Sequence, residues 1–465
     1  MEKNMNHKKM AVFAAGILVA LLILFLPLQG LEPAGRKCLA LTLMTVIFWA
    51  GNVTQSGFVS GLYLAGLIIS GAAAPDLVFK AWYGSSTMWL VIGAYLIASA
   101  VESSGLGERL AYAFIRRFVR SFTSIIISIF ILTLLLSILI PHPWPRAFLI
   151  MSVMAVVIKS ADMKHEDAVK IGFTVFAASV PISLIFLTGD SVINPLAASY
   201  AGEGVADSWI GWFQYMGVPA LLASLASLLL ILVLFKPSAP VRIRMEEIEK
   251  KQAALGALSG KEKRTAVWLA IAIVLWLTDS IHGINIGWIT LLVAMCMSFP
   301  VIGEVLTVKS WSHVPVHVLV FLTAAMAIGT VGGATGMNAW IAETLLPDTL
   351  PQNLFVLALL IALLSMIVHL FMGSVIAVMG VVIPSLLLFT EPMGIPPLFV
   401  AFTVYLAIAS HYVLPFHHLN LLVGQGEENG MYTAKETIRL GVPMTVVVFL
   451  VVLFAVMWWK LLGII

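Results

Sequence analysis

Apolar runs about as long as a membrane is thick recur from one end of this chain to the other. A helix needs about 20 apolar residues to cross the hydrocarbon core of a bilayer. Only 11% of the 465 residues are charged, whereas soluble domains carry about 25%. A transmembrane β-barrel would show short alternating segments instead. The chain is therefore interpreted as an all-α polytopic membrane protein.

Basic residues assign the ends of these runs to two sides of the membrane. The N-terminal sequence MEKNMNHKKM is basic and is predicted to be cytoplasmic by the positive-inside rule. After four spans the chain reads ERLAYAFIRRFVR, which predicts an amphipathic helix on the same side. This count predicts about 11 transmembrane helices, an external C-terminus and a bacterial plasma (inner) membrane location. The spans are 11–29, 37–50, 57–72, 86–104, 168–200, 212–235, 266–281, 284–302, 315–334, 398–422 and 440–460.

Two further apolar segments, 122–158 and 352–389, are predicted to be re-entrant helical hairpins that enter and leave on one side. The tip of the first lies in SILIPHPWPRAFLIM, where three prolines interrupt any helix. Backbone groups left without partners are costly in lipid, so this turn must face protein or water.

The first tip also predicts a site for a carboxylate or another oxyanion. Arg146 lies at the start of the second hairpin helix, where the helix dipole is positive. Together with the imidazole of His142, its guanidinium offers hydrogen bonds to an anion. Alternatively, Arg146 extends to the cytoplasmic surface and His142 is an ordinary core residue.

The second tip, HLFMGSVIAVMG, interrupts the helix less strongly than the first because it contains glycine and no proline. Two broken helices accompany the hairpins. These helices read LIFLTGDSVINPL and YVLPFHHLNLLVGQG, with polar groups at mid-span that normally mark a substrate or ion path. Asp190 could ligate Na⁺, carry a coupling proton or pair with Arg146, and histidines titrate near neutral pH. The remaining predicted substrate-binding residues are Trp144, Gly189, Ser191, Asn194, Gly373, Ser374, His417, His418 and Asn420.

The two halves of the chain resemble each other. ASAVESSGLGERLA matches AIGTVGGATGMNAWIA, and a Gly-Val-Pro recurs in both halves at a corresponding place. The matching helices are predicted to cross in opposite directions, and inverted repeats with interrupted helices are typical of secondary transporters. Coincidence is the alternative, because Gly and Pro are common in membrane helices.

Several function classes find no support in the sequence. It contains no P-loop, no G-x-S-x-G elbow and no HExxH helix. Cys38 and Cys296 lie in apolar segments and imply neither a disulfide nor a metal framework. We therefore expect no enzymatic activity, no catalytic residues, no cofactor or metal, and no nucleic-acid partner.

Two stretches carry a resemblance to a known family. YGSSTMWLVIGAYLIASAVESSGLGERLAYAFIRRF and ASHYVLPFHHLNLLVGQGEENGMYTAKETIRLGVP resemble the divalent anion/sodium symporter family, especially its dicarboxylate and citrate/succinate exchangers. That family has Ser-Asn-Thr at each hairpin tip, binding substrate and, in symporters, Na⁺. Here the tips read His142-Pro143-Trp144 and Ser374-Val375-Ile376, while Arg146 falls where the exchangers also have arginine. This departure predicts weak Na⁺ dependence, with Na⁺ or H⁺ as the possible coupling ion.

The resemblance implies an elevator-type transporter with a dimeric scaffold and a mobile transport domain. The expected divisions are scaffold 1–120 and 265–350, transport domain 121–236 and 351–465, and a cytoplasmic linker 237–264. The expected function is secondary transport of small organic anions, di- or tricarboxylates, by symport or exchange. The alternatives are a cation/proton antiporter of the same superfamily with Asp190 as carrier, and a membrane enzyme or sensor.

Overall fold

Helices form all the regular structure that the computed structural model describes. The described residues are 2–51, 53–84, 86–202, 208–241, 243–345, 351–390 and 393–465. Within them no strand is present, and Gln425 and Tyr432 form an isolated bridge. Residues 203–207, in the connection between the predicted spans 168–200 and 212–235, lie outside the described residues.

Twelve α-helices make up the first half of the chain. They are α1 Glu2–Phe25, α2 Pro33–Ala50, α3 Ser56–Ile69, α4 Pro75–Val78, α5 Thr87–Ser104, α6 Leu106–Phe118, α7 Phe122–Leu139, α8 Pro143–Ser160, α9 His165–Ile182, α10 Ile193–Tyr200, α11 Trp209–Trp212 and α12 Val218–Leu234. Short 3₁₀ segments lie at Lys80–Trp82 and Leu187–Gly189, and a π-helical segment at Phe213–Gly217 joins α11 to α12.

The second half follows a similar order. Its helices are α13 Met245–Ala254, α14 Gly260–Leu277, α15 Asp279–His282, α16 Ile286–Cys296, α17 Val316–Ala334, α18 Met337–Leu345, α19 Leu354–Met372, α20 Val375–Thr390, α21 Pro397–Ala409, α22 Leu419–Val423 and α23 Ala434–Leu461. Further 3₁₀ segments lie at Val308–His313 and Pro415–His417.

By length and composition, 6 helices of the described chain are able to cross a membrane. They are α5, α7, the continuous Trp209–Leu234, α17, α19 and α23. Shorter apolar helices include α3, α16 and α21. The multi-pass membrane class is thereby confirmed, while the number of crossings stays a prediction. The predicted span 284–302 is shorter than expected because the chain turns back after α16, where the Val305 N–H donates to the carbonyl of Met297 at 3.0 Å.

Each segment predicted to be a re-entrant hairpin contains two helices that pack together, α7 with α8 and α19 with α20, while their re-entry stays a prediction. His142 caps α8, its Nδ1 accepting the Trp144 N–H at 3.3 Å, and Pro143 takes the first helical position, where no N–H is needed. In the second pair, α19 ends at Gly373 with φ of +59°, a left-handed conformation that favours glycine. Proline and glycine thus fix the two tips in different ways.

A distinct apolar cluster joins α1–α4 to α17. Cys38 and Tyr63 are fully buried in it, and the hydroxyl groups of Thr42 and Tyr63 lie 3.1 Å apart. The broken helices and most of the hairpin residues belong to a second, larger cluster, whereas Ala377 of α20 belongs to the first. The described residues therefore form two apolar clusters that meet at α20.

The hydrophilic stretch 237–264 is folded against the rest of the protein. Ile248 of α13 is fully buried, and α13 packs on α6 and α8. Arg109 Nε lies 2.6 Å from Glu262 Oε1, and the guanidinium also donates to backbone carbonyls of the preceding turn. The hydrogen bond from Arg109 lowers the pKa of Glu262 to about 2. This ion pair attaches the stretch to α6.

Candidate functional site

Both hairpin tips and both broken helices border one cavity of about 400 Å³. This volume is in the range of small-molecule sites. The tips contribute His142, Pro143, Trp144, Gly373 and Ser374, and the broken helices contribute Asp190, Val192, Ile193, Phe416, His417, His418, Leu419 and Asn420. The opposite wall comes from α2, α3, α5 and α17 and the turn between α2 and α3, and includes Trp49, Thr54, Gln55, Ser56, Tyr95, His317 and Phe321.

Arg146 lies behind this cavity and does not line it. Its side chain is fully buried. The guanidinium donates from Nη1 to the carbonyl oxygens of Ile140 at 3.0 Å and Gly189 at 3.1 Å, and from Nη2 to Ser183 Oγ at 2.8 Å. The Ser191 N–H also donates to the carbonyl of Pro141 at 3.1 Å. These bonds fasten the first tip to the first broken helix.

The first broken helix satisfies most of its own polar groups. Asp190 Oδ1 accepts the N–H groups of Val192 at 3.0 Å and Ile193 at 3.2 Å, which caps the start of α10. Asn194 Nδ2 donates to the carbonyls of Ser183 at 2.7 Å and Phe186 at 2.9 Å. The Asn194 side chain therefore satisfies backbone carbonyls that the interruption between α9 and α10 leaves without helical partners.

Two further contacts hold this interruption. The hydroxyl of Tyr405, on α21 of the other half, donates to Asn194 Oδ1. A Cβ atom at Gly189 would lie 2.5 Å from the carbonyl oxygen of Ser183, so only glycine fits this close approach. Neither Gly189 nor Asn194 lines the cavity.

The second broken helix has hydrogen bonds at its histidines but leaves one buried amide without a partner. His417 Nδ1 accepts the N–H groups of Val413 at 3.1 Å and Leu414 at 3.2 Å. His418 Nδ1 accepts the Asn420 N–H at 3.4 Å. Asn420 Nδ2, however, is buried without a partner among the described residues. A donor in this state is satisfied once a ligand brings an acceptor.

The cavity offers several hydrogen-bond donors and carries little net charge. Trp49 lines it as well, and its indole Nε1 is buried without an acceptor in the described part of the chain. Four imidazoles and a single carboxylate, that of Asp190, lie among the described lining residues. Arg146 and Asp190 attract each other electrostatically. The site is therefore nearly neutral and rich in hydrogen-bond donors.

Eight of the predicted site residues line the cavity. Four lie behind the lining residues, in what we call the supporting layer. The eight are His142, Trp144, Asp190, Gly373, Ser374, His417, His418 and Asn420; the four are Arg146, Gly189, Ser191 and Asn194. The predicted set lacks the residues of the opposite wall. The polar run Thr54–Ser56 between two predicted spans is a sequence signal for that wall.

Nothing in the described residues offers a metal centre, since no group of three His, Cys, Asp or Glu side chains has the arrangement to hold a metal ion.

Sequence comparison assigns the family. The profile of the sodium:sulfate symporter transmembrane region matches residues 7–465. The chain belongs to this family. The resemblance seen in the sequence is confirmed, and this sodium:sulfate symporter family member is a membrane transporter and not an enzyme.

Relatives of this family member come from bacteria and plants. It is 23% identical to a membrane protein of Cupriavidus necator over 97% of this chain and 92% of that protein. It is 25% identical to Dicarboxylate transporter 1, chloroplastic, of Spinacia oleracea over 83% of this chain and 70% of that protein. It is 24% identical to the putative malate transporter YflS of Bacillus subtilis over 56% of each chain. Family and relatives support a secondary transporter of anions.

The fold is similar to that of a transporter of known structure. The YdaH transporter of Alcanivorax borkumensis aligns with a TM-score of 0.50 and 16% identity, over 83% of this chain and 86% of that one. This likeness concerns the fold alone.

Proposed function

We propose that this protein is a secondary transporter that binds a small dicarboxylate in the cavity between the hairpin tips and the broken helices and carries it across the membrane. The observation that carries this proposal is the meeting of both tips and both broken helices at one donor-rich cavity. The substrate class follows two relatives named for dicarboxylates and for malate.

The unpartnered donors are the groups we propose to contact the carboxylates. Asn420 Nδ2 and Trp49 Nε1 each gain an acceptor when an anion enters. The imidazoles of His142, His417 and His418 complete the contacts. Trp144 and Ser374 border the bound acid.

Arg146 and Asn194 act as positioning residues in this proposal, because their hydrogen bonds go to backbone carbonyls and Ser183. Gly189 and Ser191 belong to the same supporting layer. Of the three roles considered for Asp190, electrostatic pairing with Arg146 is the one these contacts support.

We also propose that the two halves form an inverted repeat with re-entrant hairpins. Gly105, between α5 and α6, has φ of +79°, and Gly336, between α17 and α18, has φ of +74°. Each junction precedes a hairpin, a broken helix and a long final helix in the same order. Shared order and shared left-handed glycines are what support the repeat.

An elevator motion fits this division. The α1–α4 and α17 cluster would belong to a dimeric scaffold, and the hairpins with the broken helices would form the mobile part, as in the predicted domains. The cavity wall formed by Trp49, Gln55 and His317 lies where α2 ends and α3 and α17 begin. The charge pattern assigns these ends to the cytoplasmic side, so we propose that the site is open inward.

Counterflow in proteoliposomes tests the function. Vesicles loaded with unlabelled malate, succinate, citrate or sulfate are diluted into labelled malate, in Na⁺ and in K⁺ buffer. We expect uptake with the dicarboxylates inside and weak dependence on Na⁺. Strict Na⁺ dependence would contradict the weak Na⁺ coupling predicted from the sequences of the two tips. Absence of counterflow, with proton flux after Na⁺ pulses, would favour the antiporter instead.

A pair of asparagine variants tests the site. Asn420→Ala removes a hydrogen bond to a charged ligand, worth about 1.5–3 kcal/mol, so malate counterflow should fall roughly 10- to 100-fold. Asn353 caps α19 by accepting the Phe355 N–H at 2.9 Å, and Asn353→Ala is the matched control. Equal counterflow in both variants would exclude Asn420 from the site.

A further inference from the structure

Three buried imidazoles lie together at the base of the second tip. The ring centroids of His369 and His417 are 5.6 Å apart, those of His369 and His411 are 5.9 Å apart, and those of His411 and His417 are 6.1 Å apart. Each side chain is at most 2% exposed. Only His417 lines the cavity, so the other two have no part in the ligand contacts described above. We call these residues the histidine triad.

The hydrogen bonds of the histidine triad define where a proton can be added. His369 Nε2 lies 2.9 Å from the carbonyl oxygen of His417, so this nitrogen carries a hydrogen and donates it. His369 Nδ1 is then the free lone pair of the neutral ring, and it is buried without a partner among the described residues. His411 Nδ1 is likewise buried without a hydrogen-bond partner in that part of the chain.

The neutral ring of His417 has the opposite arrangement, with Nδ1 as the acceptor. Its Nδ1 accepts two backbone N–H groups, so the hydrogen of the neutral ring is on Nε2. His417 lines the cavity, and its ring centroid lies 5.6 Å from that of His369 and 6.1 Å from that of His411.

Asp190 lines the same cavity as His417, but no carboxylate of the described residues acts electrostatically on the three rings. The titratable groups that act electrostatically on His369 are His411, His417 and His418. Among the helices packed against α19, α20 carries no ionisable residue in its sequence and α21 has Tyr405, which is bonded to Asn194. The ionisable residues of α2 and α23 lie near the ends of those helices: Arg36, Lys37 and Cys38 on α2, and Lys435, Glu436, Arg439 and Lys460 on α23.

A proton on the histidine triad thus lacks a counter-ion until an anion arrives. A buried charge without a partner is disfavoured, and a nearby opposite charge reverses this. The converse holds for the ligand. Arg146 and Asp190 roughly cancel each other, so a dianion in the cavity brings two uncompensated charges. Proton and dianion each remove part of the cost of burying the other.

We propose that the histidine triad is the coupling site of this transporter and binds one proton, at the open Nδ1 of His369, together with each dicarboxylate. This inference rests on the proposed function. The proton comes from solvent and adds to a lone pair, so no bond of the protein breaks. Reciprocal stabilisation of proton and anion makes the transporter a proton–dicarboxylate symporter.

Proton uptake on binding tests this coupling in the purified wild-type protein. Malate is titrated calorimetrically at pH 7 in buffers of different ionisation enthalpy, and the dependence of heat on buffer gives the number of protons bound. We expect about one proton per malate. Above the pH at which the free triad is deprotonated, affinity should fall about tenfold per pH unit, as for one linked proton.

A matched pair of variants locates the proton. His369→Gln keeps a donor for the His417 carbonyl but removes the titratable ring, and it should bind malate with no proton uptake and a flat pH profile. His282 is the control, because its Nε2 lies 2.9 Å from the carbonyl of Leu275, away from the triad. His282→Gln should retain the wild-type proton uptake.

The outcomes separate the two proposals. Malate binding without proton uptake by the wild type overturns the coupling and leaves the transport function intact. Uptake that is unchanged in His369→Gln places the proton on another group and also overturns the inference. Failure of the wild type to bind any acid of the panel refutes the proposed function and the coupling with it.

Discussion

Replacing Arg146 with alanine should destabilise the whole protein, and this outcome separates a positioning residue from a ligand contact. The substitution removes three buried hydrogen bonds: one within the first hairpin, to the carbonyl of Ile140, and two to the first broken helix, at Gly189 and Ser183. It leaves the carbonyls of Ile140 and Gly189 without those donors in a buried environment.

The magnitude follows from these contacts. Each hydrogen bond from a charged donor contributes about 1.5–3 kcal/mol. Removal of the buried charge recovers part of this, because the guanidinium itself is costly to desolvate. The net loss for Arg146→Ala is then about 3–5 kcal/mol, the usual range for breaking one side of a buried ionic network.

Thermal unfolding in detergent, followed by tryptophan fluorescence, measures the effect. Arg146→Ala should unfold several degrees below the wild type, and Arg146→Lys, which keeps the charge and can reach one acceptor, should lie between them. Arg120 donates to the carbonyls of Arg116 and Val119 at an exposed position, so Arg120→Ala should change little. Wild-type unfolding of Arg146→Ala together with lost malate binding would refute this reasoning, because the guanidinium would then contact the ligand directly.

Two more substitutions give contrasting outcomes. Gly373→Ala introduces a Cβ atom 2.9 Å from the Phe416 ring at a residue with positive φ. The strain is about 1–2 kcal/mol, so malate counterflow should fall several-fold with little loss of folded protein. The control is Gly61→Ala, whose Cβ atom meets open space and which should match the wild type. Glu262→Gln should lower stability at pH 7 by about 1–2 kcal/mol. Arg109 holds the pKa of Glu262 at about 2, below its ordinary 4.5, so this stability is present above pH 4.5 and is lost as pH falls towards 2. Melting curves of both proteins from pH 7 to pH 3 should therefore converge, and a constant difference would argue against the ion pair as its source.

The helical pairs and interruptions were predictable because single residues determine them. Proline is well tolerated in the first turn of a helix, and α8 begins at Pro143, about one turn before the predicted start at Arg146. Gly373 ends α19 because the chain needs a left-handed residue there. Local conformational rules of this kind require no knowledge of distant neighbours.

The direction of the Arg146 side chain was not predictable in the same way. The sequence places it one turn into a helix next to a histidine, which fits an anion site. Its acceptor at Gly189 lies 43 residues away, and the structure shows that the guanidinium turns towards this carbonyl and away from the cavity. Which face of a helix meets which loop is a tertiary property. The side chains of α2 and α3 that complete the cavity escaped prediction for the same reason.

Asn194 and Asn420 show how equal sequence signals acquire different roles. Both asparagines follow an interruption in a membrane helix, and both were predicted to bind substrate. The amide of Asn194 is saturated by two carbonyls and by Tyr405, so a ligand would have to displace a bond to gain one. Asn420 Nδ2 has no such bond to lose. An unpartnered buried donor costs about 1–3 kcal/mol, and a ligand that supplies the acceptor recovers that free energy on binding. The second broken helix, which also carries His417 of the triad, is therefore where ligand affinity and proton coupling are expected to arise, while the first provides a rigid support.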